Sequence, residues 1–295
     1  MSMDNLTGSI VALVTPFNED KSIDFEGLER LVDFHLENGT DGILVLGTTG
    51  ETSPMTDAED FAVAEAVVKQ VAGRIPVIGG AGSNCTEESL NKALGLQQRG
   101  IDGLLLITPY YNKSNEEGIY QHFVQVMDKV DVPCIFYNIP GRTGCSISER
   151  NVARLREHPN AWGIKEASGN ISYATTVAQY LSDDFRMFSG NDDMVVPILS
   201  LGGAGVISVL SNVAPKETHD MVQLCLDGKY PEAAALQIRS LELCRQLFCE
   251  VNPIPVKAAL NMQGWNVGIP RLPLTELEEE HKISLKAAMQ AFGVL

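Results

Sequence analysis

Eight short apolar runs recur along this 295-residue chain, separated by polar or amphipathic stretches, and that alternation limits the fold more than any other feature. The runs are IVALVTP (10–16), GILVLG (42–47), IPVIGGAG (75–82), GLLLITP (103–109), PCIFYNIP (133–140), AWGIKEAS (161–168), FRMFSGND (185–192) and GVISVLSN (205–212). Between them, residues 25–38, 57–71, 86–98, 115–130 and 148–157 carry apolar side chains at helical spacing. Thr56, three residues before Glu59, and Ser148 are cap signals at the starts of two of these segments. Eight strand-then-helix units with short connections predict an α/β fold, the (β/α)8 TIM barrel. A doubly wound open sheet is the rival, but no G-x-G-x-x-G fingerprint follows the first strand. From Pro215 onward only helical periodicity remains, broken at 252–255 and 269–273. The expected division is a catalytic barrel over 1–228 and a C-terminal helical domain over 229–295.

Thirty-eight acidic residues against 22 basic ones leave a formal charge of -16, which argues against a nucleic-acid partner. The first residues lack a basic n-region and an apolar h-region, and no apolar run reaches the roughly 20 residues of a membrane span. A cytoplasmic protein without a membrane partner is expected. The six cysteines, at 85, 134, 145, 225, 244 and 249, form no C-x-x-C pair and read as reduced thiols. The five histidines form no H-E-x-x-H pattern, so neither a metal site nor a cofactor is expected.

One residue resists the pattern. Strands buried on both faces should be continuously apolar, yet Lys165 interrupts the sixth run. A barrel carries its active site at the C-terminal ends of its strands, and polar residues gather at those ends here: Gly47-Thr48-Thr49-Gly50-Glu51, Thr108-Pro109-Tyr110-Tyr111-Asn112, Tyr137 to Gly144, and Ser189-Gly190-Asn191-Asp192. A lysine enclosed there loses hydration, its ammonium form is disfavoured, and the neutral amine can attack a carbonyl. That is a route to a Schiff base with a keto acid. Tyr137 could shuttle protons, and Thr49 in its glycine-flanked loop would suit a carboxylate. Plainer readings stand beside these. Lys165 could snorkel from an edge or pair with Glu166 or Glu51; Tyr137 could be a strand aromatic, Thr48-Thr49 a turn, Arg142 a surface residue and Tyr110-Tyr111 rim packing.

The motifs G-T-T-G-E (47–51), T-P-Y-Y-N (108–112), Y-N-I-P-G-R-T-G (137–144), G-I-K-E-A-S-G (163–169) and S-G-N-D (189–192) together resemble the dihydrodipicolinate synthase family of class I aldolases, in its order and at its spacing. The resemblance implies a barrel with a C-terminal helical domain, assembled as a homotetramer, a dimer of dimers. It implies condensation of pyruvate with L-aspartate 4-semialdehyde in lysine and diaminopimelate biosynthesis. By motif, Lys165 matches the Schiff-base lysine, Tyr137 the proton donor and acceptor, and Thr48 and Tyr111 the proton relay, Tyr111 reaching in from a neighbouring subunit. Thr49 matches a pyruvate-binding threonine, Ile207 and Gly190 positions beside pyruvate, and Arg142 the arginine that receives the semialdehyde carboxylate. Related pyruvate aldolases, such as N-acetylneuraminate lyase and keto-deoxy sugar acid aldolases, share the lysine and the tyrosine; Arg142 discriminates against them. A non-catalytic keto-acid-binding barrel is disfavoured by the full set of catalytic side chains. Feedback inhibition by L-lysine is also expected. Asn84, Glu88 and Tyr110 match residues holding the inhibitor's amino-acid end, while Asp57 and Asp60 stand where the best-known sensitive members carry histidines.

Overall fold

In the computed structural model, which describes residue 3 and residues 6–295, the eight runs form parallel strands paired in chain order, and the last closes on the first. The strands are β1 Gly8–Ala12, β2 Gly42–Val45, β3 Val77–Gly80, β4 Gly103–Ile107, β5 Cys134–Asn138, β6 Ala161–Glu166, β7 Arg186–Ser189 and β8 Gly205–Ser208. The fold is therefore the (β/α)8 barrel that the spacing predicts. Around it run α1 Phe25–Glu37, α2 Asp57–Val71, α3 Thr86–Gln97, α4 Glu116–Met127, a single turn α5 Pro140–Thr143, α6 Glu149–Leu155, α7 Ile171–Ala178, α8 Val195–Ser200 and α9 Pro215–Leu226. The helical tail holds α10 Tyr230–Gln246, α11 Ile254–Met262 and α12 Glu279–Phe292.

Local chemistry sets several of these ends. Thr56 and Glu59 form a reciprocal capping box on α2, and Ser148 accepts from the Asn151 N–H at the start of α6, satisfying helix N–H groups that have no partner within the helix. The apolar runs outlast the ladders: β1 ends at Ala12, yet Leu13 and Val14 stay buried because the loops at this end are themselves covered. Helices α7 and α8 were not legible as periodic segments. Neither ISYATTVA nor VVPILS contains a charged residue, so no polar face marks the period.

Both faces of the sheet are buried, as a parallel barrel requires. Ile10, Ala12, Leu44, Ile78, Leu105 and Ile135 fill the interior. Val11, Ile43, Val45, Val77 and Leu104 pack outward against helix residues such as Leu31 and Val67. That outer core also takes in Leu243, Leu247, Val256 and Leu260, so the tail packs directly on the barrel. We propose the division of the chain at the turn between α9 and α10, where Gly228 takes a left-handed φ of 77°.

Strand β6 departs from regular alternation at one point that matters for function. Cys134 pairs with Ala161, but the next residue, Ile135, pairs with Gly163, so Trp162 is an extra residue in the strand. Ala161 faces outward and Trp162 inward; without the extra residue Lys165 would share the outward parity of Ala161. The bulge turns Lys165 into the barrel, level with Tyr137 on β5. Gly163 makes the kink possible, since a Cβ there would meet the Arg186 carbonyl oxygen at 2.5 Å. Gly163→Ala should therefore push β6 from β7, cost about 1–3 kcal/mol of stability by denaturant midpoint, and lower activity with it. An unchanged midpoint and rate would show that β6 tolerates the methyl group.

Candidate active site

The strand ends open into a cavity of about 460 Å³ at the C-terminal rim of the barrel. Thr48, Thr49, Tyr137, Arg142, Lys165 and Gly190 line it together, each carried there by a different local structure. Thr48 and Thr49 sit in the turn after β2, where Gly50 donates to the Gly47 carbonyl at 3.1 Å and Glu51 to that of Thr48 at 3.2 Å. Tyr137 and Lys165 face each other across adjacent strands, with the lysine Nζ 4.3 Å from the tyrosine ring centroid. Arg142 projects from α5, the turn that starts at Pro140. Gly190 forms a bare floor beneath the lysine, where a Cβ would lie 3.1 Å from Lys165 Cε and 2.6 Å from Ala167 Cβ.

Lys165 is only 5% exposed, and burial pulls its pKa from the ordinary lysine value down to about 7. The Asp192 carboxylate opposes that shift, and the Arg142 guanidinium adds to it. Neither acid suggested as an ion-pair partner takes that part. Glu51 pairs with Lys257 at 2.8 Å. Glu166 points outward from β6, accepting from Asn138 Nδ2 at 2.7 Å and from the Ser168 N–H at 2.7 Å and its hydroxyl. Among the described residues no carboxylate lies within 4 Å of Lys165 Nζ. Burial pushes Tyr137 up to about 12, with Arg142 opposing, so the phenol keeps its proton at neutral pH. Lys257 is a second buried lysine, lowered to about 8 by burial, but its amine is spent on Glu51 and on the Thr15 carbonyl at 3.1 Å.

Two residues matched by motif stand outside the cavity wall. Ile207 lies in the barrel interior with Tyr137, Trp162 and Phe188, and Val209 lines the cavity instead. Tyr111 is 91% exposed at a left-handed φ of 67° and is not among the residues lining the cavity of its own chain. Tyr110, beside it, borders a separate groove of about 330 Å³ lined by Asp57, Ser83, Glu88 and Lys92. Asn84 donates to the Tyr110 carbonyl at 3.1 Å. Asp60 is fully buried, 2.5 Å from Lys92 Nζ and accepting from Thr52 at 2.9 Å. Its carboxylate is thus already matched by an ammonium of this chain.

Sequence reasoning missed the tail's share of the site. Cys244, Arg245, Phe248 and Asn252 line the cavity from α10 and the segment after it, and Asp192 and Asp193 line it after β7. The only signal for Asn252 was its place in the proline-rich break between helices. One trio close enough to share an ion, Glu250, Glu278 and His281, stands outside the cavity lining. Its members bond one another, Glu250 accepting from the Glu278 N–H at 2.9 Å and lying 2.7 Å from His281 Nδ1. All six cysteines are free. No helix among the described residues is long and apolar enough to cross a membrane.

An enclosed amine whose pKa burial pulls down to about 7, set beside a phenol at the mouth of a parallel barrel, defines a lyase of the class I aldolase type. The model of the dihydrodipicolinate synthetase family matches residues 5–292. The 4-hydroxy-tetrahydrodipicolinate synthase of Caldicellulosiruptor saccharolyticus is 51% identical over 287 residues, 97% of each chain. Two solved structures superpose at a TM-score of 0.96. One is the dihydrodipicolinate synthase of Cyanidioschyzon merolae with lysine bound, 41% identical over 98% of this chain and 99% of that one. The other is the chloride-inhibited enzyme of Acinetobacter baumannii complexed with pyruvate, 39% identical over 98% of this chain and all of that one. The chain belongs to the dihydrodipicolinate synthetase family.

Proposed function

We propose that the chain condenses pyruvate with L-aspartate 4-semialdehyde through an imine on Lys165, forming 4-hydroxy-tetrahydrodipicolinate. The observation that carries this reading is the Lys165 amine, brought to a pKa of about 7 and held 4.3 Å from the Tyr137 ring in a cavity that also holds Arg142. The neutral amine adds to the keto carbon of pyruvate, and water leaves to give an iminium. The iminium draws electrons from the adjacent methyl group, a proton departs, and the resulting enamine carbon attacks the aldehyde; the amino group of the semialdehyde then adds to the iminium carbon, closing the ring and expelling the Lys165 amine. Tyr137, relayed by Thr48, moves these protons as a neutral hydroxyl. Thr49 takes the pyruvate carboxylate, with Gly190 leaving room for the imine and Ile207 closing the floor of the barrel. Arg142 takes the carboxylate of the semialdehyde, for which a guanidinium offers a bidentate contact in a chain of charge -16. The enzyme works in the cytoplasm as a homo-oligomer. A rate assay with pyruvate and a panel of aldehydes tests the substrate. Turnover of aspartate semialdehyde is expected, and preference for a sugar aldehyde would place the chain among the other pyruvate aldolases.

The exposed Tyr111 supports a shared site, in which it completes the relay of a partner subunit. Tyr111→Phe and Lys165→Ala proteins, each nearly dead alone, should recover part of the activity when dissociated and reassembled together, because a mixed dimer contains one intact site. Mixed dimers without activity would return Tyr111 to its own chain.

We also propose that L-lysine inhibits by entering the groove beside Tyr110, its α-ammonium on Glu88, with Asn84 and Tyr110 at the same end. Asp57 is left for the ε-ammonium, since Asp60 is committed to Lys92. Rates titrated with lysine at saturating pyruvate should fall, and fall less in Glu88→Thr. A flat curve for the unmodified enzyme would remove this proposal and leave the catalytic one standing.

A further inference from the structure

The Thr48-Thr49 turn is held from the helical tail, by groups that the proposed chemistry does not use. Glu51 ends the turn at a left-handed φ of 56°, a conformation that costs a side-chain-bearing residue energy and persists where its surroundings hold it. What holds it is Lys257 on α11. The two side chains are almost wholly enclosed, Nζ to Oε1 at 2.8 Å, and the other carboxylate oxygen accepts from the Arg271 N–H at 2.9 Å. A buried ion pair persists only when its remaining hydrogen-bond capacity is met, and here it is: Lys257 also donates to the Thr15 carbonyl at 3.1 Å, while the Thr15 hydroxyl donates to the Gly50 carbonyl at 2.7 Å.

A second tie enters five residues earlier in the same segment. Asn252 donates from Nδ2 to Thr49 Oγ1 at 2.9 Å, and its backbone carbonyl accepts from Arg142 Nη2 at 3.3 Å. With its oxygen already accepting, the Thr49 hydroxyl keeps its own proton to give to a carboxylate. One residue of the tail thus touches both groups assigned to the two substrate carboxylates.

We propose that Asn252 and the Lys257–Glu51 pair are positioning residues, which fix Thr49 and Arg142 at the separation that the two carboxylates require. The proposal rests on the reading of Thr49 and Arg142 as carboxylate ligands. It makes the helical tail a splint for the barrel loops rather than an appended layer.

The test uses the intact enzyme and borohydride trapping of pyruvate, read as adduct on Lys165 against pyruvate concentration. Removing one charge leaves the other buried and unpaired, so Glu51→Gln and Lys257→Met should each melt well below wild type. The double variant Glu51→Gln/Lys257→Met should recover melting temperature, because no unpaired charge remains. It should still need about tenfold more pyruvate for half-maximal trapping, with the saturating rate changed by less than about threefold. Asn252→Ala should melt as wild type does and raise the half-saturating concentration of both pyruvate and the aldehyde. A double variant with restored melting and wild-type half-saturation would overturn the proposal, leaving the pair a purely structural one. If the double variant does not fold, Asn252→Ala decides in the same way, unchanged half-saturation overturning the proposal. Wild-type enzyme that traps no pyruvate on Lys165 would instead mark a failure of the catalytic reading.

Discussion

Pyruvate and borohydride added together should silence this enzyme, and peptide mapping should find a reduced three-carbon adduct on Lys165 alone. Two lysines are buried enough to present a lowered pKa, about 7 for Lys165 and about 8 for Lys257, so the pKa does not separate them. Geometry does. Lys257 is bonded to Glu51 and the Thr15 carbonyl and does not line the cavity, whereas Lys165 lines it and has no carboxylate in contact among the described residues. Adduct on Lys257 or on Lys113 would end the assignment. The trapping rate should climb as pH rises toward 7 and level off above it, instead of climbing to the ordinary lysine range, because only the neutral amine attacks.

The same burial has a linked cost in stability. An unfolded lysine binds its proton up to about pH 10.4, while the folded one releases it near 7, so between those values the unfolded state holds more protons and stability rises with pH. Below 7 the penalty is present in full. Lys165→Met should therefore lose activity yet melt above the parent enzyme near pH 6, with the gap closing toward pH 10. A gap that is flat across this range would mean that folding leaves the Lys165 pKa at its ordinary value.

How legible such a site is depends on the reach of the interactions that build it. The strands, the capping box at Thr56 and the cap at Ser148 could be read because each is decided within a few residues. The cluster of polar strand ends could be read because a barrel sends all of them to one rim. The direction of Lys165 could not, since AWGIKE is buried on both faces and its alternation marks neither as inner, and only pairing with β5 reveals the extra residue at Trp162. Asn252 and Thr49 meet across 203 residues of chain, and nothing local in the proline-rich segment announces that contact. Asp60, matched by motif to a position at the lysine inhibitor's site, is instead paired with Lys92. Its burial against Lys92 follows from the packing of α2 on α3, which periodicity does not resolve to single side chains.

Tyr137→Phe should leave imine formation standing while turnover falls roughly 10²–10⁴-fold, the range for removing a general acid or base. Phenylalanine fills the same space within the interior cluster of Ile135, Trp162 and Phe188, so the wall beside Lys165 is preserved and the amine remains buried. What disappears is one hydroxyl. Because burial holds the phenol near 12, it acts as a neutral group that accepts a proton on one side while giving one on the other, and no phenolate needs to form beside the imine. The substitution thus separates two steps that share one cavity. Addition of the neutral amine and loss of water from the carbinolamine can draw their protons from solvent, whereas enamine formation and release need a proton moved at a positioned group. Borohydride trapping at saturating pyruvate should accordingly keep an appreciable fraction of its wild-type rate while kcat with both substrates collapses. Turnover within about threefold of wild type would mean that another group carries the proton. Loss of trapping and turnover in equal measure would mean that Tyr137 acts before the imine exists.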